Sequence, residues 1–253
     1  MKNQSENKVY TLAEVLGKHT IAELKQMTQV LEVKVLSKAK KQEIIDALSA
    51  KLLDKELLTA WLLAAGKQEI EELELAMAED VVIAEESGRF YYWRNLPVVF
   101  VTGDGVVVVP SETAAVYNEI KSDSEYAQKR SRINVFDEYL MACVNLYRAI
   151  DITTFLSIVN GQTGMNAKRP ELESWLKDRE AVRGQQMYFF EGGYILSEEY
   201  RTKKEGEVVD YHQLLERQGA MSYYIPAKSE LLRYADPYLS LIHISEPTRR
   251  RGI

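Results

Sequence analysis

The sequence predicts a mainly α protein with small β-hairpins, an α+β class, on three observations. Capped stretches with apolar residues at helical spacing recur along most of the chain. Two glycine-rich turns, Gly103-Asp104-Gly105 and Glu191-Gly192-Gly193, each separate short runs of β-branched or aromatic residues. The order of helices followed by a hairpin occurs twice.

Residues 11–53 lay out a helical hairpin. Thr11 with Glu14, and Thr20 with Glu23, fit the capping box, in which hydroxyl and carboxylate satisfy free amides at a helix start. Ile21, Leu24, Met27 and Leu31 give one apolar stripe. The connection Val33-Lys34-Val35-Leu36 leads to Ser37 as the expected N-cap, and Ile44, Ile45, Leu48 and Leu52 form the inner face of the next helix. With "IAELKQMTQVL", a polar break and "SKAKKQEIIDAL", this stretch resembles the small N-terminal module of transcription terminator Rho and, more loosely, the SAP helical hairpin. The resemblance covers about a sixth of the chain. It implies a nucleic-acid-associated protein, on DNA or RNA, and names no reaction.

Further on, Asp54 can cap a helix carrying Leu57, Leu58, Trp61 and Leu62, and Gly66 suits a left-handed residue that ends it. A helix with Ile70, Leu73 and Met77 on one face follows, then an irregular stretch with Phe90-Tyr91-Tyr92-Trp93. Val98–Thr102 and Val106–Val109 flank the first glycine turn, and Pro110-Ser111 start a helix with Val116 and Ile120 inward. Asn134–Tyr147 forms a strong helix, and Asp151 caps another that Asn160-Gly161 stop. Pro170 opens a third, with Leu172, Trp175 and Leu176. Gln186–Phe190 and Tyr194–Leu196 then flank the second turn. Residues 1–53 are therefore expected to form a Rho-N/SAP-like module, and residues 54–122 and 123–210 to form two winged-helix-like units. Residues 211–238 are expected to begin a truncated C-terminal region.

The end of the chain has a different character. Leu239 to Arg249, LSLIHISEPTR, resembles read-through translation of the mosaic-end adapter used in transposase-based sequencing libraries. Residues 239–253 are thus expected to be adventitious, with the gene fragment ending near Tyr238. The alternative is a natural tail whose Arg cluster would be a basic patch. Setting residues 239–253 aside removes three Arg and one Glu and takes the formal charge from −6 to −8. An acidic chain of this kind is not a broadly basic nucleic-acid coat, so any contact comes from a local patch.

Cys143 is the single cysteine, which excludes a disulfide framework, and its spacing within VFDEYLMACVNLY suits a buried thiol. MKNQSENK lacks the apolar core of a signal peptide, and the apolar runs are too short to cross a bilayer, so a cytoplasmic protein with no membrane partner is expected. No cofactor is implied. His19 and His212 have no second His or Cys at metal-ligand spacing, and neither a phosphate loop nor a nucleophile elbow is present.

The candidate nucleic-acid-binding residues are Lys34, Lys38, Lys40 and Lys41. Lysines at a helix start oppose the helix dipole, while the free amides there can receive a phosphate. The alternative is an ordinary solvated face. Lys168, Arg169, Lys177, Arg179 and Arg183 interleave with Glu171, Glu173, Asp178 and Glu180, which favours a salt-bridged surface helix, and Lys129, Arg130 and Arg132 are read the same way. The aromatic clusters Phe90–Trp93 and Tyr188–Phe190 are expected in the core rather than as stacking platforms. The expected function is nucleic-acid association without catalysis. The alternative is an adaptor docking a protein partner through the same helices.

If residues 239–253 are adventitious, the 1–238 chain melts at the same temperature as the 1–253 chain. A loss of several degrees on truncation, on the order of 1 kcal/mol or more, would show that the tail packs.

Overall fold

A computed structural model describes residues 9–84, 87–183, 188–200, 215–216, 219 and 222–235. The described chain is mainly helical with two small antiparallel three-stranded sheets. It divides into two compact units, residues 1–130 and 131–253, and the division falls within one long helix. Gln186 and Met187, the expected start of the second hairpin, and residues 239–253 lie outside the described residues.

The first unit opens with α1 (Leu12–Gly17) and α2 (Ile21–Val30), and both expected capping boxes form. Thr11 and Thr20 each accept an amide from the Glu three residues on, and each Glu carboxylate accepts the amide of its Thr. The inner face of α2 differs from the expected stripe. Ile21 is 45% exposed while Thr28 is buried. The Thr28 hydroxyl donates to Lys25 O at 2.7 Å, so its burial leaves no unmet donor, and Leu24, Thr28 and Leu31 form the inward row. On α3 (Lys41–Leu52), Ile44, Ile45, Leu48 and Leu52 are buried as expected. Its N-cap is Lys40, not Ser37: Glu43 reaches back to the Lys40 amide at 2.7 Å and makes a cap three residues later without a hydroxyl.

This hairpin belongs to the first unit. Leu12, Val15 and Leu16 of α1 are buried, and α1 packs on α3 and on α7 (Ser111–Lys121). The Ser111 amide donates to Tyr10 O at 2.9 Å, and the Leu12 amide to Glu112 Oε2 at 3.0 Å. Between α3 and α7 come α4 (Lys55–Ala64), α5 (Lys67–Ala78) and the short α6 (Tyr91–Asn95). Asp54 caps α4 as expected, accepting the Leu57 amide at 3.0 Å. Gly66 is not left-handed. Its φ is −76° and it serves as N-cap of α5. The reason lies at the end of α4, where Arg130 Nη1 donates to Leu62 O (3.1 Å), a carbonyl that a glycine cap would otherwise serve, and to Ala65 O (2.6 Å).

Strands β2 (Phe100–Val101) and β3 (Val106–Val108) form the first expected hairpin, and β1 (Val81–Val82) adds a third strand in the order β1-β3-β2. Two valines are too few to show alternation, which is why β1 was not legible. Gly105, at φ 81°, closes the turn with its amide on Thr102 O, and its carbonyl accepts the Ile83 amide.

In the second unit, α8 (Ser124–Tyr147) starts ten residues before the expected Asn134, already within the first unit. It leads into β4 (Ala149–Asp151), α9 (Ile152–Thr163), α10 (Arg169–Arg183), β5 (Tyr188–Glu191) and β6 (Tyr194–Ser197). The sheet order is β4-β6-β5. Asp151 caps α9 as expected, but Asn160-Gly161 do not stop it. Gly164, at φ 71°, does, because the Asn160 side chain instead clamps Ala167 N and O from inside the helix. Gly192 and Gly193, at φ 58° and 87°, make the two-residue turn between β5 and β6. The two sheets share one strand order, whereas the helices before each hairpin differ: α6 spans 5 residues and α10 spans 15. Residues 222–235, with α11 (Lys228–Leu231), lie against α8 and α9. Tyr147 Oη donates to Tyr224 O, Asn145 to Tyr234 O, and Gln162 to Pro226 O.

A β-carbon on Gly105 would lie 2.6 Å from Ile83 O, on a backbone that side chains rarely adopt. Gly105→Val should therefore destabilise the first unit by about 1–3 kcal/mol, read as a lower urea midpoint. An unchanged midpoint would contradict the turn.

Candidate nucleic-acid interface

The four candidate lysines lie on the connection from α2 to α3 and on the first residue of α3. The chain leaves α2 through a Schellman turn. The Val33 amide donates to Thr28 O (2.8 Å) and the Glu32 amide to Gln29 O (3.3 Å), with Glu32 left-handed at φ 53°. A second turn, Ala39 amide to Leu36 O at 3.0 Å, precedes Lys40. The exposed ridge between these turns carries Lys34, Leu36 and Lys38.

The structure separates the four. Lys34, Lys38 and Lys40 are exposed, and their side chains make no hydrogen bond or ion pair among the described residues. Lys41 is half-buried, and its Nζ donates to Gly17 O, the last carbonyl of α1, at 2.6 Å. Lys25, which the sequence did not single out, donates from Nζ to Ser37 O at 3.0 Å and ties the ridge to α2. Only its helical placement beside the connection could have pointed to it. Leu36, 81% exposed, and Val30, 65% exposed, add apolar surface beside the free lysines. The acids nearest in sequence are Glu32 and Glu43, and Glu43 is engaged with the Lys40 amide.

The other basic sets are largely consumed. Arg179 is buried. Its Nη1 meets Asp137 Oδ1 at 2.5 Å, and its guanidinium lies over the Trp175 ring at 5.1 Å. It is a core residue rather than the expected surface residue, because Asp137, Trp175 and Phe136, stacked on Trp175 at 5.7 Å, close around it. Arg132 holds Glu171 with two bonds, 2.5 and 2.7 Å, and donates to Met165 O. These bonds keep the Glu171 carboxyl below its ordinary range, against the opposing effect of its burial. Arg169 pairs with Glu173, and Lys129 with Glu125, each one turn apart as expected. Arg130 is buried on the α4 carbonyls. Lys168 and Lys177 stay exposed among the acids of α10.

The aromatic clusters are core, as expected. Phe90, Tyr92 and Trp93 are buried, with Tyr92 Oη on Trp61 O and Trp93 Nε1 on Glu69 O, while Tyr91 is exposed. Tyr188 and Phe189 are buried beside β6. Cys143 is buried, and burial pushes its thiol up to about 12.

A groove of about 600 Å³ lies between α5, the first sheet and α7. Glu79, Asp80 and Asp104 line it with no lysine or arginine, so it does not suit a phosphate. The Thr102 hydroxyl holds the Asp104 carboxyl below its ordinary range. Among the described residues, no group of three His, Cys, Asp or Glu is placed to hold a metal ion. None of the described helices is long and apolar enough to cross a membrane. In comparisons with known proteins, no family model, no curated protein and no solved structure matches the chain.

Arg179 provides a test of which cations are structural. Arg179→Met leaves the largely buried Asp137 carboxylate, 14% exposed, without its partner, so it should cost about 3–5 kcal/mol in chemical denaturation. A fully stable variant would contradict the buried pair.

Proposed function

We propose that this chain is a non-enzymatic, nucleic-acid-associated protein of the cytoplasm, related to transcription as the N-terminal resemblance implies. It binds DNA or RNA weakly through phosphate contacts from Lys34, Lys38, Lys40 and Lys41. One observation carries the reading. Lys34, Lys38 and Lys40 stand exposed without a carboxylate partner among the described residues, while Lys129, Arg130, Arg132, Arg169 and Arg179 of the other basic sets are paired or buried. A phosphate can neutralise such groups without first breaking an ion pair. Helix, strand, helix, helix, strand, strand in the order β4-β6-β5 supports reading the second unit as winged-helix-like.

A second reading is favoured by α10. In a DNA-binding winged helix this helix would enter the major groove. Here Arg179 faces the core, Arg169 is paired, and Asp178 and Glu180 are exposed beside Lys177. That mixed surface suits docking of a protein partner, so the adaptor role belongs to the second unit.

With three or four lysines on phosphates, the log–log salt slope on duplex DNA should be about −3, with micromolar or weaker affinity at physiological salt. Changing Lys34, Lys38, Lys40 and Lys41 together to Gln should abolish binding in fluorescence anisotropy while helicity survives. Wild-type protein that fails to bind at low salt would make the adaptor the better reading. A Gln variant with unchanged affinity and slope would place the contact elsewhere.

A further inference from the structure

Five lysines surround the connection from α2 to α3, and they are not equivalent. Lys34, Lys38 and Lys40 project without partners among the described residues, whereas Lys25 and Lys41 spend their ammonium groups on backbone carbonyls. The two carbonyls are informative. Gly17 O ends α1, where the last carbonyls lack helical partners and a cation is favoured by the helix dipole. Ser37 O lies on the ridge itself, between Leu36 and Lys38. The Lys25 bond is therefore the side-chain tie from α2 to the segment that carries two of the three free lysines.

We infer that Lys25 and Lys41 are positioning residues for the nucleic-acid contact, and that Lys34, Lys38 and Lys40 alone touch phosphate, with exposed Leu36 covered by the bound ligand. This rests on the function proposed above and sharpens it, since Lys41 moves from contact to support. Lys25 holds the ridge in one conformation before binding, so less ordering remains when phosphates arrive. Lys41 fixes the start of α3 against α1, which sets the direction in which Lys38 and Lys40 project.

Contact and positioning separate in the salt dependence. A lysine that neutralises a phosphate releases a counterion, and its removal flattens the slope by about 0.9 on duplex DNA. A positioning lysine changes affinity and leaves the slope alone. The experiment uses the full chain and a fluorescein-labelled duplex of about 20 base pairs at several salt concentrations. Single Gln variants at Lys34, Lys38 and Lys40 should each flatten the slope. Lys25→Met and Lys41→Met should weaken binding about threefold to tenfold at unchanged slope. Lys25→Arg, which keeps a donor, should restore it. Leu36→Ala should weaken binding at unchanged slope.

Amide hydrogen exchange adds a readout independent of nucleic acid. Lys25→Met should speed exchange at Ala39, whose amide closes the turn on Leu36 O, and leave Leu24 and Leu48 protected. A flattened slope for Lys25→Met or Lys41→Met would make that lysine a contact and overturn its assignment. Unchanged affinity together with unchanged Ala39 exchange would overturn positioning by Lys25. Wild-type protein that binds no duplex at low salt overturns the proposed function itself. Binding with slopes that no lysine variant alters overturns only the division drawn here.

Discussion

At the end of α4 the guanidinium of Arg130 reaches Leu62 O and Ala65 O, and this kind of contact, cation to a carbonyl without a helical partner, recurs along the chain. Each helix leaves carbonyls at its C-terminal end that must be met by water, a tight turn or a donor. Here long basic side chains do it repeatedly. Lys41 meets Gly17 O after α1, Arg132 meets Met165 O after α9, and Lys25 meets Ser37 O within a connection. A cation so placed also opposes the negative end of the helix dipole. The same contact draws distant segments together: Arg130 and Ala65 are 65 residues apart in sequence.

Those contacts decide which charges remain for a ligand. The chain carries 32 Lys and Arg, more than enough for a basic surface, yet its formal net charge is −6. Carbonyls take Arg130, Lys25 and Lys41, and carboxylates take Arg132, Arg169 and Arg179. Lys34, Lys38 and Lys40, in one short stretch, have no such partner among the described residues. Under the proposed function, few contacts and a negative body make phosphate binding weak and salt-sensitive, which suits a module that works beside a partner or a second site. The groove with Glu79, Asp80 and Asp104 and the mixed surface of α10 carry the opposite preference.

Much of the fold was legible because local chemistry fixes it. Thr11, Thr20 and Asp54 cap helices through bonds spanning three residues, and Gly105 and Gly193 take the left-handed conformations their turns require. What was not legible depends on partners far away in sequence. Gly66 was expected to end α4, but Arg130 removed the need. Gly161 was expected to end α9, but Asn160 bonds forward to Ala167 and the helix runs on to Gly164. The strands β1 and β4 are too short to announce themselves and exist because a hairpin lies ready to pair with them. The basic connection stood out in the sequence, but its division did not. Lys41 and Lys40 are adjacent and chemically identical, and only the path of α1 distinguishes them.

Among the described residues, carbonyls and carboxylates hold Lys25, Lys41, Arg130, Arg132, Arg169 and Arg179, and the proposed function assigns Lys34, Lys38 and Lys40 to phosphate. Heteronuclear NMR of the full chain, following lysine ammonium and backbone amide signals as duplex DNA is added at low salt, tests it most directly. The account predicts shifts at the ammonium groups of Lys34, Lys38 and Lys40 and at the Leu36 amide. The ammonium signals of Lys25 and Lys41 should stay in place throughout, and α10 should stay unperturbed. Shifts concentrated at Lys168 and Lys177, with the α2–α3 connection unchanged, would contradict it.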